Sequence, residues 1–285
     1  MAKKDSELKK MKPAPFDLCV AQSVKEVVSL LKQNKGDAKI LAGGQSLMAM
    51  LNMRLVKPNL VIDISRIKDL DYIKITKEFV EIGATFTQSK LENWPKLQEI
   101  FPIIASVLPH VGHFQTRNRG TVCGSVCHSD PSSELPLLLA LLNGEVVLSS
   151  TSGTRIISAK DFQTGMLSTA CETHEFVTAI RFPIMAKKYG HAFIEIARRH
   201  GDYAIVALAA IATKDSIKLG VGGVADIPSI LELKPGDLSN LSDALNTFAW
   251  SLDANDDIHA SAKYRREIVR RLGESTLRKA CNEII

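Results

Sequence analysis

Ala42-Gly43-Gly44-Gln45-Ser46-Leu47 is one of two stretches that decide how this chain reads. The other is Arg117-Asn118-Arg119-Gly120-Thr121-Val122-Cys123-Gly124-Ser125, followed closely by His128-Ser129-Asp130-Pro131. The first follows the apolar pair Ile40-Leu41 and runs into Leu47-Met48-Ala49-Met50-Leu51, a pattern of strand, tight turn and helix start. Such a turn aims backbone N–H groups and a helix N-terminus at a phosphate. Glycine leaves room for that approach and reaches positive φ without strain. Gly-Gly turns without a ligand are common, so either loop alone says little. Two of them, flanked by the polar Gln45, Ser46, Thr121 and Ser125, point to a nucleotide cofactor held between loops.

Organisation along the chain fits two lobes and a third unit. Ser23-Val24-Lys25-Glu26 has capping-box spacing, and Val24, Val27, Val28 and Leu31 recur at helical intervals until Gly36. Lys39-Ile40-Leu41 and Leu60-Val61-Ile62-Asp63-Ile64 read as strands around the first loop. Beyond Arg66, Tyr72-Ile73-Lys74-Ile75 and Phe79-Val80-Glu81-Ile82 form one expected hairpin. Val146-Val147-Leu148 and Thr154-Arg155-Ile156-Ile157 form another. Residues 97–108 are helical in period, and residues 175–182 are a strand stopped by Pro183. Residues 191–198, 203–213 and 216–221 suggest a three-stranded meander, followed by helices over 241–248 and 261–284. The class is α+β, with the ligand between lobes. A single Rossmann domain fits poorly, because the glycines are not spaced G-x-G-x-x-G and no regular βαβ alternation follows.

Composition narrows the function. The chain has 285 residues, 45% of them hydrophobic, enough for a sizeable core. No apolar run is long enough to span a bilayer. Residues 1–12 are polar and lysine-rich with no apolar stretch behind them, so a cytoplasmic protein with a disordered leader over residues 1–10 is expected. Cys19, Cys123, Cys127, Cys171 and Cys281 are odd in number and scattered, as reduced thiols would be. No metal-site spacing occurs, and His110 and His113 read as solvent-facing or hydrogen-bonding histidines. The formal charge of +5 is mild. Its densest cluster, Lys263, Arg265, Arg266, Arg270 and Arg271, reads as the solvated face of an amphipathic helix, with no call for nucleic acid.

The first loop and residues 117–136, together with Arg198-Arg199-His200-Gly201-Asp202-Tyr203, residues 220–225 and Asp257-Ile258-His259-Ala260-Ser261-Ala262-Lys263-Tyr264-Arg265, resemble the FAD-binding medium subunit of heterotrimeric molybdenum hydroxylases. That group includes carbon monoxide dehydrogenase, nicotine dehydrogenase and multi-subunit xanthine dehydrogenases. The likeness runs from about Met11 to the C-terminus. It implies an FAD-binding domain of the vanillyl-alcohol-oxidase/PCMH type over residues 11–185, with lobes at about 11–65 and 66–185. A C-terminal domain of the carbon monoxide dehydrogenase flavoprotein type, a three-stranded antiparallel sheet plus helices, would cover 186–285.

The resemblance also assigns residues. Leu41, Ala42, Gly43, Gly44, Gln45, Ser46, Leu47 and Met48 would form one wall of the pyrophosphate site. Thr121, Val122, Cys123, Gly124 and Ser125 would form the other. Glu134 matches an acidic cofactor contact, although it could instead cap the helix that follows, and Asp130 would shape the turn before it. Tyr203, beside Asp202, matches an aromatic over the flavin ring. Val111 and Val177 match apolar positions near the ring and the far end of the cofactor, and both could equally be core. Relatives usually have Gly-Gly where this chain has Cys123-Gly124, so the cysteine either crowds a phosphate or packs as a small thiol.

The implied function is electron transfer by bound FAD. Molybdenum–pterin and [2Fe-2S] centres would sit on a large and a small partner subunit, in a dimer of heterotrimers, with a quinone, NAD or oxygen as the final acceptor. No acid, base or nucleophile set for substrate chemistry is evident, so the chain's own task is to hold and tune the flavin. Two alternatives remain: a self-sufficient flavin oxidoreductase of the same fold, and a non-catalytic nucleotide-binding assembly module. Covalent flavin attachment near the first loop is not expected, since Gln45 and no histidine stands there.

Overall fold

A computed structural model describes residues 12–185 and 189–283. The expected leader over residues 1–10 lies outside the described residues, as does residue 186, where the C-terminal domain was expected to begin. The first sheet has three parallel strands, β1 (Asp17–Val20), β2 (Ala38–Leu41) and β3 (Leu60–Asp63), in the order β1-β3-β2. β1 has no counterpart in the sequence reading. The helix Val24–Asn34 buries Val27, Val28 and Leu31. Ser23 Oγ accepts from Glu26 N at 3.2 Å, while Glu26 accepts from Gln22 N at 2.8 Å, one residue earlier than a standard capping box. Lys35 in the left-handed region and then Gly36 stop the helix.

The second lobe carries β4 (Ile73–Ile75), β5 (Phe79–Gly83), β6 (Glu145–Ser150), β7 (Gly153–Ser158), a small ribbon of β8 (Gln163–Gly165) and β9 (Ser168–Thr169), and β10 (Phe176–Pro183). Apart from the ribbon these strands form an antiparallel sheet, β4-β5-β10-β6-β7. β10 is central because Phe176, Val177, Ala179, Ile180 and Phe182 are all buried. Its register is fixed from both sides: Arg181 pairs with Glu81 of β5 at 2.6 Å and with Glu145 of β6 at 3.7 Å. Both expected hairpins are present.

The C-terminal sheet corrects the expectation of three strands. β11 (Gly190–Ile196), β12 (Val206–Ala212) and β13 (Ile217–Gly222) are joined by β14 (Ser229–Leu233), in sequential antiparallel order. β14 was missed because Leu and Glu are good helix formers and Pro228 interrupts the approach to it. Only pairing decides it, with Leu233 opposite Ile217 and Ile230 opposite Gly220. β12 is buried along its whole length. Ala207, Ala209 and Ile211 face the cluster containing the helix Glu134–Leu141, whereas Val206, Leu208, Ala210 and Ala212 face the helices Leu241–Ser251 and Ala262–Asn282. A helix of the second lobe is thereby sandwiched against the C-terminal sheet, so cofactor loops and C-terminal segments meet.

The basic helix also needs a correction. Arg270 and Arg271 do lie on a polar face, both paired with Glu267. Arg265 does not: it is 4% exposed and bonded to the backbone carbonyls of Ile205 and Gly223, which flank β12 and β13 of the C-terminal sheet. Its neighbour Tyr264 is exposed.

Candidate functional site

The two glycine loops touch. β2 ends at Leu41, Gly44 turns the chain with φ +76°, and the helix Leu47–Asn52 begins after Ser46. A Cβ on Gly43 would lie 2.8 Å from the Arg119 carbonyl carbon, 2.9 Å from Gly120 Cα, and closer still to the Arg119 oxygen. No other residue could let the loops approach this closely. The second loop is braced from behind: Gln88 N donates to Gly120 O at 2.8 Å, and Thr87 bridges to Thr121. Thr121 Oγ1 accepts from Gly124 N at 2.9 Å and so caps the helix Val122–His128.

Between the loops lies a cavity of about 670 Å³. Ala42, Gly43, Gly44, Gln45, Ser46 and Leu47 line it from the first lobe, and Val111, Thr121, Cys123, Gly124, Ser125, Glu134 and Val177 from the second. Asp202 and Tyr203 close it from the segment between β11 and β12. Two expected residues stand next door: Leu41 and Met48 border a smaller hollow of about 320 Å³ behind the first loop, with Asp63, Ser65 and Arg119. Val122 is fully buried in the core. Asp130 does not line the cavity; its carboxylate accepts from Ser132 N at 2.9 Å and shapes the turn that presents Ser133 and Glu134. Ser133, not Glu134, is the helix N-cap.

Cys123 borders the cavity, but its sulfur donates to Ile82 O of β5 at 3.5 Å. Burial pushes its thiol far above the ordinary range. The thiol is packed against the sheet, which favours the small-thiol reading.

Several wall residues escaped sequence reasoning. Leu167, Thr169, Cys171, Thr173, Glu175 and Phe176 come from the ribbon, the loop that follows it and the start of β10, and no local pattern marks them. Gln88 is 4% exposed, lines the cavity, and its Oε1 has no hydrogen-bond partner. Arg117 acts behind the wall. It forms a two-pronged ion pair with Glu92 at 2.8 and 3.2 Å, and donates to Val111 O at 3.2 Å and Gly112 O at 3.1 Å. His110 Nδ1 lies 3.1 Å from Glu195 Oε1, in keeping with a hydrogen-bonding histidine.

Burial disfavours charge on Glu134 and His128 of the wall, whereas Glu175, hydrogen-bonded to Arg155 at 2.7 Å, is held below the usual carboxylate range. Burial, reinforced by the charges of Glu195 and Asp130, pushes the Glu134 carboxyl up to about 8. Burial holds His128 below the usual imidazole range. The Tyr203 phenol is raised by burial first and then by the charges of Asp130 and Glu134. The residue is 55% exposed and, with Ser46 and Ser133, lines the cavity. A large, partly apolar hollow with few convergent polar groups, walls that a Cβ would fill and an orphaned buried acceptor fits an extended dinucleotide such as FAD.

Comparison with known proteins agrees with that fit. Residues 14–185 match the family described as the FAD binding domain in molybdopterin dehydrogenase. The 6-hydroxypseudooxynicotine dehydrogenase complex subunit alpha of Paenarthrobacter nicotinovorans is 35% identical, over 95% of this chain and 96% of its own. Among solved structures, quinoline 2-oxidoreductase from Pseudomonas putida 86 superposes with a TM-score of 0.88 at 31% identity, over 96% of this chain and 99% of its own. Carbon monoxide dehydrogenase from Hydrogenophaga pseudoflava, in a form lacking the Mo-pyranopterin moiety of its molybdenum cofactor, does so with 0.88 at 28% identity, over 95% and 99%. This chain therefore belongs to the FAD-binding medium subunits of the molybdenum hydroxylases, a family of oxidoreductases.

Proposed function

We propose that this chain is the electron-transfer flavoprotein of a molybdenum hydroxylase complex. It would receive electrons from [2Fe-2S] clusters of a small partner and deliver them to a quinone, NAD or oxygen. A large molybdenum–pterin partner would oxidise the substrate. The reading further holds that the complex is a dimer of heterotrimers in the cytoplasm; among the described residues no helix is long and apolar enough to cross a membrane. The observation that carries it is the contact between the two glycine loops across one cavity, closed by Tyr203 from a third segment.

Each wall has a task in this scheme. Gly43 and Gly44 leave backbone surface free for phosphate oxygens. Thr121 keeps the facing helix start in place. Glu134, uncharged at neutral pH, adds no repulsion toward a diphosphate and keeps a proton within the cavity. Tyr203 limits what reaches the flavin from the mouth. When bound, FAD supplies the exchange between one-electron and two-electron carriers.

The test is direct. Purified chain should show flavin absorbance and should co-purify with the products of neighbouring large-subunit and small-subunit genes. A flavin-bearing chain that associates with neither would favour the self-sufficient oxidoreductase. A chain that takes up no flavin would favour the assembly module.

A further inference from the structure

Two of the motifs that carry the resemblance, residues 220–225 and Asp257 to Arg265, lie outside the cavity, and neither has yet been given a task. They meet at Arg265. From the first turn of the helix Ala262–Asn282 its guanidinium reaches beneath the C-terminal sheet. Nη1 donates to Ile205 O at 2.8 Å and also to Gly223 O, while Nη2 holds the Asp257 carboxylate. Asp257 is held in turn by His259 N at 2.8 Å and Ala260 N at 2.9 Å. Nε is buried without a partner, so the two outer nitrogens carry the whole arrangement. Such a planar fork bridges two carbonyls and a carboxylate in a way that a lysine cannot.

Both carbonyls lead to the cofactor cavity. Ile205 follows Tyr203 by two residues, and its own N–H is fixed to Ile196 O of β11 at 2.7 Å. Gly223 donates to Pro131 O at 2.7 Å, and Pro131 is two residues before Ser133, which lines the cavity as Tyr203 does. Gly223 has φ +77°, and a Cβ there would lie 2.8 Å from Ile205 O and 2.9 Å from Ala204 O. The segment carrying Asp202 and Tyr203 and the turn presenting Ser133 and Glu134 are thus tied to one buried cation.

We propose that Arg265, oriented by Asp257, is a positioning residue for FAD: through Ile205 O and Gly223 O it sets the distance between the Tyr203 segment and the Pro131 turn. The claim rests on the reading of the cavity as an FAD site. It assigns to Arg265 no contact with the cofactor, only control over the two segments that touch it.

The experiment compares full-length Arg265→Met, Asp257→Asn and Leu245→Ala. Leu245 is fully buried in the same domain but away from the cavity, so its variant loses stability without touching the clamp. In the FAD-free chain, amide exchange at Gly223 and Ile205 should speed up in Arg265→Met and not in Leu245→Ala. FAD affinity should fall about tenfold in Arg265→Met, a loss of about 1.4 kcal/mol. It should fall about threefold in Asp257→Asn, which leaves the guanidinium in place, and stay within twofold in Leu245→Ala. The Arg265→Met loss should shrink at least threefold in a Tyr203→Ala background. Should Arg265→Met not fold, Asp257→Asn carries the test alone. Equal FAD affinity in the clamp and Leu245 variants, with the exchange change confirmed, would overturn the positioning role. A wild-type chain with protected Gly223 and no affinity for FAD would overturn the flavin reading instead.

Discussion

Replacing Gly43 with alanine adds one carbon atom, and the structure says where it goes. The new Cβ would lie 2.8 Å from the Arg119 carbonyl carbon and 2.9 Å from Gly120 Cα. Carbon contacts settle at roughly 3.5–4.0 Å, so the loops would have to part by roughly 1 Å. Gly43 has no positive φ, which leaves steric overlap as the sole penalty. Overpacking of this kind costs about 1–3 kcal/mol. If the loops must be closed to grip the pyrophosphate, that strain falls on binding, and FAD affinity drops between roughly fivefold and a hundredfold. Titration of the FAD-depleted chain, followed by flavin fluorescence, measures this. Gly236→Ala is the control, since nothing lies within 4 Å of a Cβ there, and it should change neither affinity nor melting temperature. Gly43→Ala binding FAD within twofold of wild type would refute the idea that the cofactor is gripped by loops in contact.

Cys123→Gly should leave FAD affinity unchanged, because the sulfur faces Ile82, and lower stability by about 1–2 kcal/mol through a small cavity and a helical glycine. A tenfold gain in affinity would instead mean that the cysteine crowds the phosphate. The Glu134 carboxyl, at about 8 when folded against about 4.5 when unfolded, keeps its proton longer in the native state, so its stabilising contribution is complete below 4.5 and is lost as pH rises toward 8. Urea melts should therefore show a decline across that window of up to about 1.4 kcal/mol per pH unit that Glu134→Gln removes; matching profiles would show that Glu134 is not the group titrating. FAD affinity should weaken above pH 8 in wild type and not in Glu134→Gln. Tyr203→Ala in the assembled complex should retain most FAD yet change the rate at which reduced flavin is reoxidised in stopped flow, and identical traces would make Tyr203 a bystander.

Part of this protein was legible in the chain itself. Turn chemistry is local: the αL glycine at 44, the Thr121 cap before a glycine-containing helix and the Asp130-Pro131 turn each follow from neighbours a few residues apart, so both cofactor loops could be marked without coordinates. Hydrophobic period likewise located both hairpins and the two C-terminal helices. What depends on partners far along the chain could not be read. β14 is a strand only because β13 pairs with it, and Arg265 is buried only because Ile205, Gly223 and Asp257 satisfy its charge. Gln88 and the ribbon residues reach the cavity through contacts spanning tens of residues. The direction of the Cys123 sulfur was likewise set by packing against β5. Local sequence specifies which backbone shapes are cheap. Only the folded chain decides which side chains those shapes bring together, because that choice is made by burial, and burial is a property of the whole molecule.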